Sequence, residues 1–133
     1  MSRTIDDLEK MFSGSGLPCM RVADFLVTPI ILPKAPDKYV MAGFRVGDDF
    51  IVALSQTDSF SVDEENRPYA LSFCNNWNTL RPTPRASVGQ DGQLHVDMTI
   101  RFKGLSREYV INNVIRRFVR EAGEFYAEAL EKL

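Results

Sequence analysis

The chain has few of the residues from which catalytic and metal centres are usually built. Its 133 residues include two cysteines and one histidine. Cys19 and Cys74 are far apart and have no CxxC spacing, so the common zinc and dithiol motifs are absent. The sequence also lacks a Gly-x-Ser-x-Gly elbow and a glycine-rich loop that ends in Gly-Lys-Ser/Thr. These absences predict a protein that is not an enzyme and that holds neither a cofactor nor a metal.

Neither charge nor hydropathy is concentrated in one part of the chain. Sixteen lysines and arginines against eighteen aspartates and glutamates leave a net charge of -2, which argues against a general nucleic-acid-binding protein. The cluster of Arg116, Arg117 and Arg120 is typical of the solvated face of a helix. No segment approaches the ~20 apolar residues of a membrane span, and no signal peptide is recognisable. We therefore expect a cytoplasmic protein with reduced thiols, which binds neither nucleic acid nor membrane.

Residues that form a core, by contrast, are plentiful. Hydrophobic residues make up 44% of the chain and include nine phenylalanines, four tyrosines and one tryptophan. That supply is sufficient for the core of one domain, and neither a repeat nor a low-complexity linker divides the sequence. We therefore expect a single domain over residues 1–133.

Apolar periodicity predicts an α+β fold with the order helix, three strands, helix, two strands, helix. Thr4 can cap the first helix, and Pro29 predicts that the first strand lies at an edge or breaks there. Asp91-Gly92 is typical of the primed two-residue turns of hairpins, and Ser106 can cap the last helix. Because both strand blocks contain hairpins, the sheet should be largely antiparallel and packed by the helices. The first two predicted helices span residues 4–12 and 68–77. The predicted strands include residues 20–32, 39–46, 50–55 and 94–102.

The last helix has a wider apolar stripe than a half-buried helix needs. Such a helix either crosses the whole sheet or buries part of its surface against another chain. This excess width leads us to expect a homodimer. The stripe consists of Val110, Ile111, Val114, Ile115, Phe118, Val119, Ala122, Phe125, Tyr126, Ala129 and Leu130.

Polar and aromatic residues gather in the segment Cys74-Asn75-Asn76-Trp77-Asn78, which contains the single tryptophan. Asn75, Trp77 and Asn78 could form a small site for a partner peptide or a ligand. In the alternative interpretation they are architectural: Trp77 fills the core, Asn78 caps the C-terminal end of the second helix, and Asn75 bonds the following turn. We favour the architectural interpretation, because the terminal backbone groups of a helix must find partners in any case.

Further polar residues lie close to this segment in the sequence. Arg81 and Arg85 flank Pro82-Thr83-Pro84, and they can either pair with Asp91 or another local acid, or face an acidic partner. His95 lies on the polar side of its strand, two residues before an aspartate. A metal site needs more ligands than these two, so we expect an exposed histidine.

The second half of the chain carries short motifs in a fixed order. They are Cys74-Asn75-Asn76-Trp77-Asn78, Pro84-Arg85-Ala86, Asp91-Gly92 and Gly104-Leu105-Ser106-Arg107-Glu108, which precedes the long helix. In these motifs the chain resembles the YbjN family of bacterial proteins, described as sensory transduction regulators. The resemblance runs from about Ala70 onward, whereas the first half matches in layout alone. It implies a fold similar to that of type III secretion chaperones, which commonly dimerise and bind extended segments of other proteins.

Two functional hypotheses follow. The first is a non-catalytic binding or regulatory module that contacts a protein partner through the exposed sheet face or through an unpaired strand edge. The alternative is a sensor domain that binds a small molecule in an apolar pocket between sheet and helices, lined by phenylalanine, methionine and Trp77. A deep pocket with converging polar groups would favour the sensor, whereas a filled core with a flat, exposed apolar patch would favour the protein-binding module.

Overall fold

The structure, a computed structural model, describes residues 5–133. Thr4, the predicted cap of the first helix, lies outside the described residues. The elements are, in chain order, α1 (Ile5–Gly14), β1 (Met20–Val22), β2 (Phe25–Pro29), β3 (Val40–Val46), β4 (Phe50–Thr57), a single 3-10 turn (Glu64–Asn66), α2 (Arg67–Leu80), β5 (Arg85–Val88), β6 (Leu94–Arg101), α3 (Arg107–Tyr109), a π-helical segment (Val110–Ile115) and α4 (Arg116–Lys132). We call the last three together the C-terminal helix.

The strands form one six-stranded sheet in the order β1-β2-β3-β4-β6-β5. Every neighbouring pair is antiparallel. The connection that contains α2 carries the chain from β4 to the far edge of the sheet at β5, and the following hairpin returns it to β6. The predicted α+β class and the antiparallel sheet are therefore confirmed.

The helices cover one face of the sheet. Because side chains alternate along a strand, Val40, Ala42 and Phe44 of β3 are buried beneath the helices while Arg45 is exposed. The Phe44 ring packs edge-on against Phe12 of α1 at 5.6 Å and against Phe118 of α4 at 5.8 Å between ring centroids.

We call the other side of the sheet the open face, because no helix within residues 5–133 covers it. Strand register defines its members. They are Met20 and Val22 of β1, Phe25 and Val27 of β2, Met41, Gly43 and Arg45 of β3, Phe50, Val52, Leu54 and Gln56 of β4, His95, Asp97, Thr99 and Arg101 of β6, and Arg85 and Ser87 of β5.

The first predicted strand is in fact two strands, so the sheet has six strands rather than the expected five. The chain reverses at Ala23 and Asp24, so that Val22 pairs with Phe25. Ala23 has a φ of 55°. Alanine seldom adopts this left-handed conformation, so the turn could not be predicted from the residues that form it. Pro29 is the last residue of β2, in agreement with the break that proline predicts.

The turn between β5 and β6 also differs from the expectation. Gly89 N–H donates to the Gln93 carbonyl at 2.8 Å, and Gly92 N–H donates to the Gly89 carbonyl at 3.0 Å. Gly92 has a φ of 83°, whereas Asp91 does not have a positive φ, so the predicted primed turn is wrong. The wider loop brings the Gly92 carbonyl to Val62, whose N–H donates to it at 2.9 Å. A turn followed by a glycine in the left-handed conformation is a common hairpin loop of this length.

The C-terminal helix is continuous, and its predicted cap is confirmed, because the Ser106 hydroxyl accepts a hydrogen bond from Tyr109 N–H at 3.1 Å. Its broad apolar stripe is buried within the single chain, where Phe118, Phe125 and Tyr126 are fully enclosed. Packing on the chain's own sheet therefore accounts for the width that had suggested a dimer. No helix in residues 5–133 combines the length and the apolar composition needed to cross a membrane.

Candidate functional site

Trp77 lies at the point where α2 meets the edge strand β5. Its side chain is 2% exposed, and its Nε1–H donates to the Pro84 carbonyl at 3.0 Å. The indole packs edge-on against Phe125 of α4, with ring centroids 5.2 Å apart. Trp77 is thus a core residue with its single polar atom satisfied, as the architectural interpretation expects.

Asn78 binds the backbone of β5 from the side. Its Oδ1 accepts a hydrogen bond from Ala86 N–H at 2.7 Å, and its Nδ2 donates to the Ala86 carbonyl at 2.9 Å. Ala86 pairs with Val96 of β6 on its other side. The Asn78 amide therefore occupies the two outward backbone groups of Ala86 that a further strand would use.

The predicted function of Asn78 as a helix cap is wrong. α2 continues to Leu80, and the residue that follows, Arg81, is extended with a φ of -134°. Arg81 precedes Pro82, and a residue before proline is disfavoured in the helical conformation. The proline was the signal in the sequence that marks the true end of α2.

Asn75 takes no part in this cluster through its side chain. It lies on the exposed side of α2, and its backbone carbonyl accepts a hydrogen bond from the Thr79 hydroxyl at 2.8 Å. The expectation that Asn75 bonds the turn after the helix is therefore wrong. Residue 75 is about a quarter-turn from Cys74 and half a turn from Trp77, so it cannot share their buried side.

Arg81 and Arg85 lie on different surfaces of the molecule. The Arg81 guanidinium lies 3.8 Å from the centroid of the Trp77 ring, and its Nη2 is 3.8 Å from Oε1 of Glu128 on α4. Its acidic partner is Glu128, which is distant in sequence, so the expected pairing with Asp91 or another local acid is wrong. Arg85 lies on the open face, in register with Asp97 of β6. Trp77, Asn78 and Arg81 come together, whereas Arg85 belongs to another surface.

The titratable groups near this corner are buried without a catalytic arrangement. Both cysteines are free, and burial raises the pKa of the Cys74 thiol to about 11. Burial also raises the pKa of Tyr126, although its hydrogen bond with Ser55 opposes the shift. His95 is half-buried near the β5–β6 turn. Within residues 5–133, no group of three potential metal ligands occurs.

The space between sheet and helices is filled. Phe73, Phe125 and Tyr126 form continuous ring contacts, with Phe125 5.2 Å from Phe73 and 5.1 Å from Tyr126. The Tyr126 hydroxyl is 2.7 Å from the Ser55 hydroxyl and donates to the Leu94 carbonyl at 2.8 Å. Every buried side-chain nitrogen or oxygen in the described part of the chain has a hydrogen-bond partner. The deep pocket expected for a small-molecule sensor is therefore not formed at this interface.

The open face carries an apolar groove of about 280 Å³. Val27 forms its floor and is only 3% exposed, whereas Met20 and Tyr39 at its sides are each 58% exposed. Gly43 lies beside the groove, and a Cβ there would lie 3.4 Å from the Phe25 ring. We call this the Met41 groove; its lining is Met20, Val22, Val27, Tyr39, Met41, Gln56, Thr57 and Asp58.

The comparisons with known proteins agree with this architecture. The crystal structure of YbjN, "a putative transcription regulator from E. coli", superposes with a TM-score of 0.74 at 18% sequence identity, over 97% of this chain and 93% of that chain. An uncharacterized protein from Methanothermobacter thermautotrophicus superposes with a TM-score of 0.54 at 15% identity, over 95% of this chain and 96% of that chain. At these identities the likeness shows the fold alone. No curated protein sequence matches the chain.

A family model does match the sequence, and it includes the corner formed by Trp77 and Asn78. The match covers residues 4–131. The model is that of YbjN, described as "Putative bacterial sensory transduction regulator". Because the match extends over nearly the whole chain, it includes the first half, where the motifs alone had indicated no more than a similar layout. The chain belongs to the YbjN family.

Proposed function

We propose that this protein is a non-catalytic regulatory module that binds an extended segment of another protein on the open face of its sheet. One observation carries the proposal: Met20, Val22 and Tyr39 at the sides of the Met41 groove are exposed, and no helix within residues 5–133 covers the groove. An exposed apolar patch on an otherwise well-packed domain is a common mark of a protein-binding surface. The resemblance to the YbjN family implies a fold similar to that of type III secretion chaperones, which bind extended segments, and this expectation points to the same class of partner.

The two edges of the sheet favour binding on the β1 side. Asn78 occupies the outward backbone groups of Ala86 at the β5 edge. The three residues of β1 are exposed and form the opposite edge, next to the Met41 groove. A segment that lies on the open face can therefore also approach an unoccupied edge, as in strand addition.

A sensor for small molecules is the weaker hypothesis. The aromatic rings of the core contact one another directly, and the Met41 groove is shallow and open to solvent. Small-molecule sites usually enclose most of the ligand surface. Both thiols are free, which suits the reducing cytoplasm, and we propose that the protein acts there.

Site-specific photo-crosslinking in living cells tests the binding surface. A benzophenone amino acid replaces either Tyr39 beside the Met41 groove or Leu71 on α2; both native side chains are exposed. We expect covalent protein adducts from position 39 and few from position 71. Adducts from position 71 alone, or none from position 39 in cells that express the protein normally, would contradict the proposal.

We also propose that the protein forms a homodimer through α4. A groove of about 530 Å³ separates α4 from residues 28–33, and Ile31 at its rim is 79% exposed. Ala127 on the helical side of this groove is small and exposed, so another helix can approach α4 closely there, whereas Gly123 packs beside Ile30. Arg116, Arg117 and Arg120 lie near the N-terminal end of α4, whereas Glu124, Glu128 and Glu131 lie between its middle and its C-terminal end. An antiparallel pair of α4 helices would place opposite charges together.

Charge reversal tests this dimer. In an antiparallel pair centred on Gly123, Arg120 of one copy lies close to Glu124 of the other. We expect Arg120→Glu to weaken the dimer in sedimentation velocity and the combined change Arg120→Glu with Glu124→Arg to restore it. A wild-type monomer at high micromolar concentration would contradict the proposal.

A further inference from the structure

We propose that the segment bound on the open face is acidic: it carries an aspartate or glutamate about four positions from an apolar anchor residue. The apolar anchor occupies the Met41 groove, and the carboxylate binds Arg45, while Arg101 on β6 adds positive charge to the same face. This inference rests on the proposed function and adds the chemistry of the partner.

The open face has an excess of positive charge. Arg45, Arg85 and Arg101 point outward from β3, β5 and β6, and Asp97 is the only acidic side chain among the outward strand residues. Within residues 5–133, none of the three arginines forms an ion pair with a carboxylate. The chain as a whole has a net charge of -2, so this surface differs in sign from the rest of the molecule. Unpaired arginines beside an apolar groove favour an acidic partner.

Two of these arginines are positioned by aromatic rings. The Arg45 guanidinium lies 5.8 Å from the centroid of Phe25, and that of Arg101 lies 5.3 Å from the centroid of Phe50. Stacking on a ring restricts a long side chain, so less conformational entropy is lost when the guanidinium binds a carboxylate. Each pair therefore holds a guanidinium ready for an anionic group, and Arg45 is the one that lies on the same strand as Met41.

The spacing follows from strand geometry. Met41, Gly43 and Arg45 are successive outward residues of β3, so Met41 and Arg45 are separated by about 13 Å. An extended segment along β3 covers the same distance in about four residues. Gly43, between them, is buried beside the Phe25 and Val27 side chains, so an extended segment crosses these side chains between the groove and Arg45. Asp58 lines the far end of the groove and would repel a carboxylate there, so the acid belongs at the Arg45 end.

Nucleic acid is the other polyanion that unpaired arginines can bind. The arginines of the open face are few, and the Met41 groove beside them is apolar. A phosphate backbone would leave that groove unused, whereas a protein segment uses both parts of the surface. We therefore assign the surface to an acidic protein segment, and binding of duplex DNA becomes one outcome of the test.

Peptide selection provides the experiment. A phage library of random dodecapeptides is panned on the wild-type protein, and the enriched peptides are synthesised with a fluorophore for anisotropy measurements. Each is titrated against wild type, the double variant Arg45→Gln with Arg101→Gln, and the groove variant Met41→Glu. Arg107→Gln, an exposed arginine on the helical side, is the matched control. A fluorescent DNA duplex is titrated against the same four proteins.

We expect the enriched peptides to combine an acidic residue with an apolar residue about four positions away. Their affinity should fall about tenfold or more in the double variant and in Met41→Glu, and should stay unchanged in Arg107→Gln. Peptides without acidic residues that still lose affinity in Met41→Glu would overturn the acidic assignment and leave the proposed function standing. The absence of enriched peptides, or peptides insensitive to Met41→Glu, would overturn both. Duplex DNA that binds more tightly than any peptide and loses affinity in the double variant would assign the arginines to nucleic acid.

Discussion

At the β5 edge of the sheet, α2 supplies the hydrogen bonds that another strand would supply, whereas the β1 edge has no such cover within residues 5–133. Asn78 occupies both outward groups of Ala86, and Trp77 bonds the Pro84 carbonyl. At β1, the side chain of Arg21 reaches back to Asp6 and Glu9 of α1, and all of these groups are exposed. One edge is held by buried, geometrically specific bonds, and the other by solvated charges.

This difference separates the residues that identify the family from the surface that we propose for binding. Trp77 and Asn78 lie in the motif that carries the resemblance to the YbjN family, and both have structural functions. The Met41 groove and Arg45 lie in the first half of the chain, outside that motif. We therefore expect substitutions at the β5 edge to change stability and substitutions at the open face to change binding.

The largest change in stability should come from Trp77→Ala. Truncation of a fully buried tryptophan typically lowers the free energy of unfolding by ~3–5 kcal/mol. Here it also removes the contact with Phe125 and the hydrogen bond to Pro84. Urea denaturation followed by far-ultraviolet circular dichroism measures the change.

Trp77→Phe is the matched control, because it keeps an aromatic ring but removes the indole N–H. We expect it to cost less than the alanine variant. A midpoint for Trp77→Ala equal to that of wild type would mean that α2 does not hold the β5 edge.

Asn78→Ala should have the next largest effect. It leaves the Ala86 N–H and carbonyl without their partner, and unsatisfied groups in a partly buried position typically cost ~1–3 kcal/mol. The exposed neighbour Asn76 provides the control, since Asn76→Ala should leave the unfolding midpoint unchanged. Equal effects of the two variants in denaturant titration would contradict the structural function of Asn78.

Asn78→Ala also tests directly whether the Asn78 amide covers the β5 edge. Without the Asn78 amide, the N–H and carbonyl of Ala86 have no partner, so the edge of β5 can pair with a strand of another chain. We expect Asn78→Ala to form more oligomer than wild type in size-exclusion chromatography at equal protein concentration. A profile identical to that of Asn76→Ala would show that the edge stays covered without the amide.

The sequence predicted elements that depend on local pattern and missed features that depend on distant contacts. The alternation in β3 and β6, the break at Pro29 and the cap at Ser106 are local, and all are confirmed. The turn at Ala23 and the bonds of Asn78 to Ala86 were not predictable in this way. Alanine carries no turn signal, and the Asn78 amide meets a strand that lies beyond the end of its own helix.

The candidate site was predictable only in part, because some of its contacts join residues that are distant in sequence. The sequence places Trp77 and Asn78 in one motif, and the structure gives both of them partners within the chain. The helix-end functions expected for Asn75 and Asn78 are wrong, because α2 continues past both residues. The partner of Arg81 was left open, because Glu128 is distant in sequence and comes close through the packing of α4 alone. The Met41 groove depends on the register of four strands, and register across a sheet is not visible in a single strand.

The ionisation of Cys74 should make the free energy of unfolding depend on pH, and this effect should be smaller than those of Trp77→Ala and Asn78→Ala. The pKa of Cys74 is raised to about 11 in the folded chain from an ordinary 9.0. A thiol that holds its proton more tightly when folded contributes its full stability below pH 9, and that contribution is lost as the pH rises toward 11. The free energy of unfolding should therefore fall by about 1 kcal/mol by pH 10 relative to Cys74→Ala.

Cys19 is the internal comparison for this measurement, since it lies just before β1 and is half-buried. Its pKa is also raised, first by burial and then by the charge of Glu9, while Arg21 opposes the shift. We expect Cys19→Ala to change the pH dependence less than Cys74→Ala does. The reverse order, in urea titrations between pH 8 and pH 10, would mean that the β1 side is the more tightly packed one.

The smallest loss of stability should follow from Arg21→Gln at the β1 edge of the sheet. The carboxylates of Asp6 and Glu9 and the Arg21 guanidinium are all accessible to water. Pairs of this kind are screened by solvent and salt, and their formation immobilises long side chains, so they contribute little to stability. We expect the unfolding midpoint to remain within experimental error at physiological salt. A loss of stability as large as that of Asn78→Ala would contradict the comparison between the two edges. It would mean that the ion pairs of Arg21 stabilise β1 as much as the Asn78 amide stabilises β5.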